Sequence, residues 1–385
     1  MQIDAKPFEV AIDSKMLVDL RARLAATRWP AAPRGRPWEF GAEYEYMREI
    51  IAYWQDGFDW ALQQQRINTF EHYRFSVDGR RVHAAIGRSS QGRLPSLLLM
   101  HGRPGSFIEF LEVAKRLSQP ERYGRDPRDG ANVVALSLPG CGFSDPPESP
   151  IGPREIARQW LTVALSDLRL GQFAVHGSDW GAAIGSWMAL ERPDAVQGLH
   201  LTSAIMQPDT APPAPPLDEE EQAFLARRAS RGPWEMGYQI IQGSKPLTLA
   251  YGLADSPAGL AAWLLEKYHA WSAARGSNLP PPMDRDDLLA IVSLYWFAGP
   301  GPDGWIYRSL LDGTGLRLPP GARIEVPTAI CSFANDVSPP SPPRWQERAY
   351  RVVGRTRISH GSHFPGLDAP EALTDDLLRF LRSLA

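Results

Sequence analysis

Four short apolar runs constrain what this chain can fold into more than any other feature. SLLLMHG (residues 96–102), NVVALSLPG (132–140), QFAVHGSDWG (172–181) and QGLHLTSA (197–204) each stop in a loop, and helical periodicity follows. Apolar runs of this length that alternate with helices imply strands buried on both faces. The fold class is therefore α/β, with a mostly parallel sheet flanked by helices. In such sheets ligands sit beyond the carboxyl ends of the strands. The residues that matter should lie where these runs end.

At 385 residues the chain is long enough for one large domain with additions. Residues 1–92 read as an N-terminal extension. Within it, SKMLVDLRARLAATRWP predicts a helix with Ser14 as N-cap that ends before Pro30. EYEYMREIIAYWQDGFDW predicts a second amphipathic helix, and Asp78-Gly79 predicts the turn of a hairpin. Residues 93–206 form the first part of a core. The strand rhythm breaks at QPDTAPPAPPLDEEEQ, residues 207–222. Residues 207–325 are helical in pattern and rich in Trp and Tyr, so they read as a lid. The core resumes over 326–385, with VPTAICSFAND and RTRISHGSHF.

Composition narrows the function. A net charge of −3 argues against a nucleic-acid partner. Two cysteines, Cys141 and Cys331, do not make a disulfide framework, so a reducing compartment is expected. The N-terminus has no apolar stretch of the kind that marks a signal peptide or anchor, so a cytoplasmic protein with no membrane partner is expected. No His-x-x-x-His or Cys-x-x-Cys pattern and no glycine-rich phosphate loop appears. Neither metal nor cofactor is therefore expected, and side chains must do the chemistry. Self-association into a homodimer is left open.

HGSDWG, residues 176–181, has the small-x-nucleophile-x-small spacing of a strand-to-helix elbow, with Asp179 at the apex and Gly177 and Gly181 as the small flanks. Taken alone, it is equally an ordinary strand-end turn. Upstream, HGRPG (101–105) follows the SLLLM run, where a loop would donate a backbone N–H to an oxyanion hole. The donors would be the amides of Arg103 and Trp180. Downstream, the order nucleophile, acid, histidine predicts Asp336, at the end of VPTAICSFAND, and His363, in SHGSHFPGLDAPE. Of the eight histidines, His360 is the rival, three residues away. His363 is preferred because it directly precedes the last helix. His101 and His176 read as loop-shaping, and His72, His83, His200 and His269 as structural.

The aspartate limits the substrate. Serine attacking a saturated carbon would leave an ether, whereas a carboxylate leaves an alkyl ester that a histidine-activated water can cleave. Epoxides and alkyl halides are the two candidates. An epoxide oxygen needs acidic donors such as tyrosine, and the helical segment carries Tyr238, Tyr251, Tyr268, Tyr295 and Tyr307. A halide needs N–H donors, and Trp180 beside the nucleophile is compatible with either.

With these residues in hand, the chain resembles the microsomal-type (juvenile-hormone-type) epoxide hydrolases of the α/β-hydrolase superfamily. The resemblance runs through LRARLAATRWP, YWQDGFDW and INTFEHYRFSVDG in the N-terminal domain, then HGRPGSFIEF, LPGCGFSDPP, HGSDWG and SKPLTLAYGLADSPAGLAAWLLEKYHAWS. It implies an α/β-hydrolase fold with a helical lid, and Asp179 as nucleophile, Asp336 as acid and His363 as base. It places the family's two lid tyrosines on Tyr238, in EMGYQIIQ, and Tyr307, in GWIYRSLL. The substrates it implies are a small-molecule epoxide and water. Arg103 departs from the family, which usually has an aromatic residue there. Its guanidinium reads as a substrate-binding group, as the partner of an acidic neighbour or as a solvated side chain. Trp180 and Pro104 are further substrate-binding candidates. An epoxide-opening cyclase of natural-product biosynthesis, a haloalkane dehalogenase and a non-catalytic binding protein on the same fold are the competing functions.

Overall fold

The computed structural model describes residues 3, 5–230 and 232–385. Near its N-terminus three helices form: α1 (Ser14–Ala25), α2 (Tyr44–Asp56) and α3 (Trp60–Ile67). The cap of α1 is Asp13 rather than Ser14, because the aspartate carboxylate accepts from Lys15 N–H at 2.9 Å. That helix also stops at Ala25, well before Pro30. The single helix expected over residues 43–60 is two. Gly57 ends α2, and Asp59 then caps α3 by accepting from the amides of Ala61 and Leu62. Strands β1 (Glu71–Val77) and β2 (Arg80–Gly87) form the expected hairpin. Its turn needs positive φ at two successive residues, and Asp78 (51°) and Gly79 (77°) supply it.

The apolar runs become β3 (Leu97–Met100), β4 (Val133–Leu136), β5 (Phe173–Gly177) and β6 (Val196–Leu201). Every residue of β3, β4 and β5 is buried. Among the helices that cover them, α4 (Leu111–Ser118) packs on β4 and α6 (Trp180–Glu191) on β3, β5 and β6, with α5 (Pro153–Thr162) packed on α6. After β6 comes an insertion whose described residues form six α-helices: α7 (Glu219–Ala229), α8 (Pro233–Ser244), α9 (Pro246–Asp255), α10 (Pro257–Ala270), α11 (Arg285–Ala298) and α12 (Arg308–Leu311). The chain then closes with β7 (Ile324–Asn335), α13 (Pro343–Ala349), β8 (Tyr350–Ser362), α14 (Pro365–Asp368) and α15 (Pro370–Leu384).

Among the described residues, the eight strands belong to one sheet, ordered β1-β2-β4-β3-β5-β6-β7-β8. The pairs from β4 onward are parallel, while β1-β2 and β2-β4 are antiparallel. The hairpin therefore extends the core sheet at its edge. The N-terminal helices pack on the insertion instead: Tyr53 Oη donates to Asp286 at 2.7 Å, and Trp54 Nε1 donates to Ser293 Oγ at 3.0 Å. Among the described residues, no helix is long and apolar enough to cross a membrane, and no cluster of three His, Cys, Asp or Glu residues is placed to hold a metal ion.

Candidate active site

The sheet brings the ends of β3, β5, β7 and β8 to one edge, and the candidate residues meet there. Asp179 lies between β5 and α6 with φ 48° and ψ −124°, a conformation that costs a non-glycine residue energy and that occurs at sites where one side chain is driven into a cleft. The flanking glycines allow the turn. A β-carbon on Gly181 would overlap the Met100 carbonyl, and one on Gly177 would overlap the backbone of Gly181. Gly102 is tied to the same turn, since a side chain there would overlap Asp179 itself.

Around Asp179 the predicted partners assemble. Arg103 N–H donates to Asp179 Oδ1 at 2.9 Å, from the loop after β3. Trp180 is the first residue of α6, at the helix end where N–H groups lack intrahelical acceptors. His363 follows β8 directly, and its Nε2 lies 3.5 Å from Asp179 Oδ2. On the other side of the ring, His363 Nδ1 donates to Asp336 Oδ1 at 2.9 Å. Burial alone would lower the imidazole pKa. The Asp336 and Asp179 carboxylates outweigh it and raise the pKa from 6.5 to about 10. The Trp271 indole meets the ring on its third side edge-on at 4.9 Å, and the Trp271 carbonyl accepts from the His363 backbone N–H at 3.2 Å. His360, the rival, is exposed on the surface. His101, His176, His72, His83 and His200 are buried and bonded to backbone or to other side chains.

Two tyrosines from the insertion stand over this end of the sheet. Tyr238, on α8, and Tyr307, just before α12, contact each other edge to face with ring centroids 5.7 Å apart. Tyr307 also meets the Trp180 indole edge-on at 5.2 Å. Burial pushes the Tyr307 phenol well above its usual pKa, and its hydroxyl donates to the Arg103 carbonyl at 3.2 Å. Tyr238 is half-buried, and its hydroxyl accepts from Gln239 Nε2 at 2.8 Å. Of the other tyrosines, Tyr268 and Tyr295 are buried, and Tyr295 is bonded to Gly105 on both its backbone N–H and its carbonyl. Tyr251 is exposed.

The Arg103 side chain is not solvated. It is 3% exposed, and its Nε donates to Asp303 Oδ2 at 2.5 Å. The acidic-neighbour reading is therefore the one that the geometry takes. Pro104 is buried in the same loop. The sequence reading did not single out Asp303, Trp271 or Glu109. Glu109 lies in SFIEF, 2% exposed, and its Oε1 has no hydrogen-bond partner. Burial, reinforced by the charge of Asp179 and opposed by His363, pushes its carboxyl from 4.5 up to about 8. The signal for it was one acid inside an otherwise apolar stretch.

Known proteins share this arrangement of chain. The family model for the epoxide hydrolase N terminus matches residues 5–110, and that for the alpha/beta hydrolase fold matches residues 95–231. A Stigmatella aurantiaca protein named "Putative epoxide hydrolase" is 31% identical over 380 residues, which cover 98% of this chain and 85% of that one. The chain belongs to the epoxide hydrolase family. The crystal structure of juvenile hormone epoxide hydrolase from the silkworm Bombyx mori superposes with a TM-score of 0.83 at 27% identity, covering 100% of this chain and 94% of that one. The Aspergillus niger epoxide hydrolase does so with a TM-score of 0.82 at 26% identity, covering 100% and 97%. The fold is thus the α/β-hydrolase fold of these enzymes, N-terminal domain included.

Proposed function

We propose that the chain hydrolyses small-molecule epoxides to vicinal diols through an ester on Asp179. The observation that carries this reading is a carboxylate, not a hydroxyl, at the apex of the elbow, facing His363 at 3.5 Å with Asp336 behind it. Full-length relatives that are epoxide hydrolases favour water addition over the cyclase alternative, and no observation favours halide release.

In the first step the Tyr307 hydroxyl turns its proton from the Arg103 carbonyl to the epoxide oxygen, Tyr238 donates to the same oxygen, and Asp179 attacks a ring carbon from the opposite side. One C–O bond forms and one breaks. The opened oxygen needs one proton. The resting site holds one on His363, whose raised pKa keeps the imidazole charged beside Asp179. Esterification removes the Asp179 charge that held that proton. A hydroxyalkyl ester and a neutral imidazole are then the balanced products. In the second step His363, oriented by Asp336, takes a proton from water, which attacks the Asp179 carboxyl carbon. The amides of Arg103 and Trp180 stabilise the oxyanion that forms. The ester oxygen leaves with the proton that His363 took from water, the diol departs, and the new Asp179 carboxyl, which keeps one oxygen from water, gives its proton to His363 to restore the resting site.

In this reading residues 207–325 act as the lid that carries the two acids. Residues 1–92 brace that lid, and Trp180 and Pro104 line the pocket. The protein works in the cytoplasm without a cofactor. A single turnover in ¹⁸O-water should place label in Asp179, read by mass spectrometry of the elbow peptide. Label that appears in the diol and not in Asp179 would refute the covalent route. Replacing His363 with Gln should block ester hydrolysis, so that the ester accumulates with its opened oxygen protonated from water instead, and Asp179→Ala should prevent the ester from forming.

A further inference from the structure

Arg103 touches three parts of the site at once, each through a different group. Its backbone N–H holds Asp179 Oδ1 at 2.9 Å, and its carbonyl receives the Tyr307 hydroxyl at 3.2 Å. Its side chain reaches across to the insertion and binds Asp303 through Nε at 2.5 Å. The other carboxylate oxygen, Asp303 Oδ1, accepts from Gly301 N–H at 2.7 Å, so the acid is fixed on both sides. Asp303 belongs to the 3-10 turn Pro302–Tyr307, whose last residue is Tyr307.

The pair is sealed. The Asp303 side chain has 0% exposure and that of Arg103 has 3%. Gly304 packs beside the pair: a β-carbon there would touch Arg103 Cζ at an ordinary 3.6 Å and crowd Gln242 Oε1 at 2.9 Å. The Tyr307 ring lies against the same group, with its centroid 5.9 Å from Cζ. A buried ion pair is a poor source of stability, because apolar groups of similar volume generally do as well or better. What it does fix is geometry: two ends joined by a directed, charge-assisted bond in a dry setting have one arrangement.

We propose that the Arg103–Asp303 ion pair is a positioning device for ring opening, which sets the Tyr307 hydroxyl at a fixed place relative to Asp179. The inference rests on the function proposed above. The acid comes from the insertion and the nucleophile from the core, and the two must meet on opposite sides of one small ring. Arg103 is the residue common to both. Its backbone registers the nucleophile, and its side chain registers the turn that ends in the acid. Where the family resemblance implies an aromatic side chain packing by shape, this chain uses a bond.

The test is a double-mutant cycle read in single turnover with styrene oxide, separating ester formation from ester hydrolysis by acid quench. Asp303→Asn should slow ester formation about 10–100-fold and change ester hydrolysis by less than about threefold. Tyr307→Phe should slow ester formation by a similar factor. The double variant should be no slower than Tyr307→Phe alone, because a misplaced hydroxyl and a missing one cost the same. Asp303→Glu should recover part of the loss.

Factors that multiply in the double variant would overturn the proposal, as would equal slowing of both steps in Asp303→Asn. Removing one partner leaves a buried charge that can unfold the chain, so a second variant, Arg103→Met with Asp303→Leu, keeps the backbone amide and buries no charge. It should melt near the wild type yet form ester about 10-fold or more slowly. A wild-type rate in that folded variant would also overturn the proposal. Wild-type protein that forms no ester refutes the proposed function itself, a separate outcome.

Discussion

Replacing Asp179 with Asn should lower the pKa of His363 by about three units, and this shift is the core of the proposed cycle. In the resting site the imidazole lies between two carboxylates, Asp336 at 2.9 Å and Asp179 at 3.5 Å, with its pKa raised to about 10. A unit charge 3.5 Å away is worth roughly 4–5 kcal/mol at an effective dielectric of about 20. That corresponds to roughly three pKa units. Asparagine keeps the shape of the aspartate and removes the charge, as esterification does. His363 in the variant should therefore titrate near neutrality, at about 7. The measurement is an NMR pH titration of the imidazole resonances, with His363→Gln identifying the signal among the eight histidines. A pKa that stays near 10 in Asp179→Asn would show that Asp336 alone holds the proton. The ester could not then switch His363 into a base, and the two-step logic would fail.

Three further outcomes can be checked independently. Glu109 has its carboxyl pushed from 4.5 to about 8 in the folded state. For an acid whose folded pKa is raised, the fold loses stability as pH climbs from the unfolded value through the folded one, here between about 5 and 8. Glu109→Gln should flatten that decline, gaining up to several kcal/mol over wild type at pH 9 and little at pH 5, as read by chemical denaturation at both pH values. A wild type equally stable at both would refute it. Gly181→Ala drives a methyl into the Met100 carbonyl, so the elbow must shift. It should cost on the order of 3 kcal/mol or more together with most of the activity, checked by thermal melting and turnover. His360→Gln should leave turnover within about twofold of wild type, since its side chain is on the surface; a loss of 100-fold or more would move the base to His360.

What was legible in the sequence follows from how local each cause is. The strands over 96–204 announce themselves because a strand covered on both faces must be apolar throughout, and β3, β4 and β5 are buried at every position. The hairpin turn is equally local, because two positive φ values at Asp78 and Gly79 require that residue pair. Helix ends are less legible. Ser14 and Asp13 are both good caps, and only the built backbone shows that the Asp13 carboxylate reaches the Lys15 amide. Within YWQDGFDW the apolar periodicity continues across Gly57, which hides the break that Gly57 and Asp59 impose.

At the site the division is the same, with distance along the chain as its measure. HGSDWG carries its own explanation, because its glycines answer to neighbours a few residues away or to the adjoining strand. The Asp179–His363–Asp336 contacts span much longer separations, yet they were foreseen because the order of strand ends in this topology fixes which loops share an edge. Arg103 and Asp303 had no such guide. They are 200 residues apart, one in the core and one in the insertion, and no periodicity or spacing rule relates the two segments. The sequence shows only that Arg103 stands at an unusual place and that an acid sits four positions before Tyr307. An arginine beside the elbow carboxylate invites the inference that it binds an acidic substrate. Burial decides against it: a guanidinium this enclosed needs a fixed counter-charge in the resting protein, and Asp303 occupies that position before any substrate arrives.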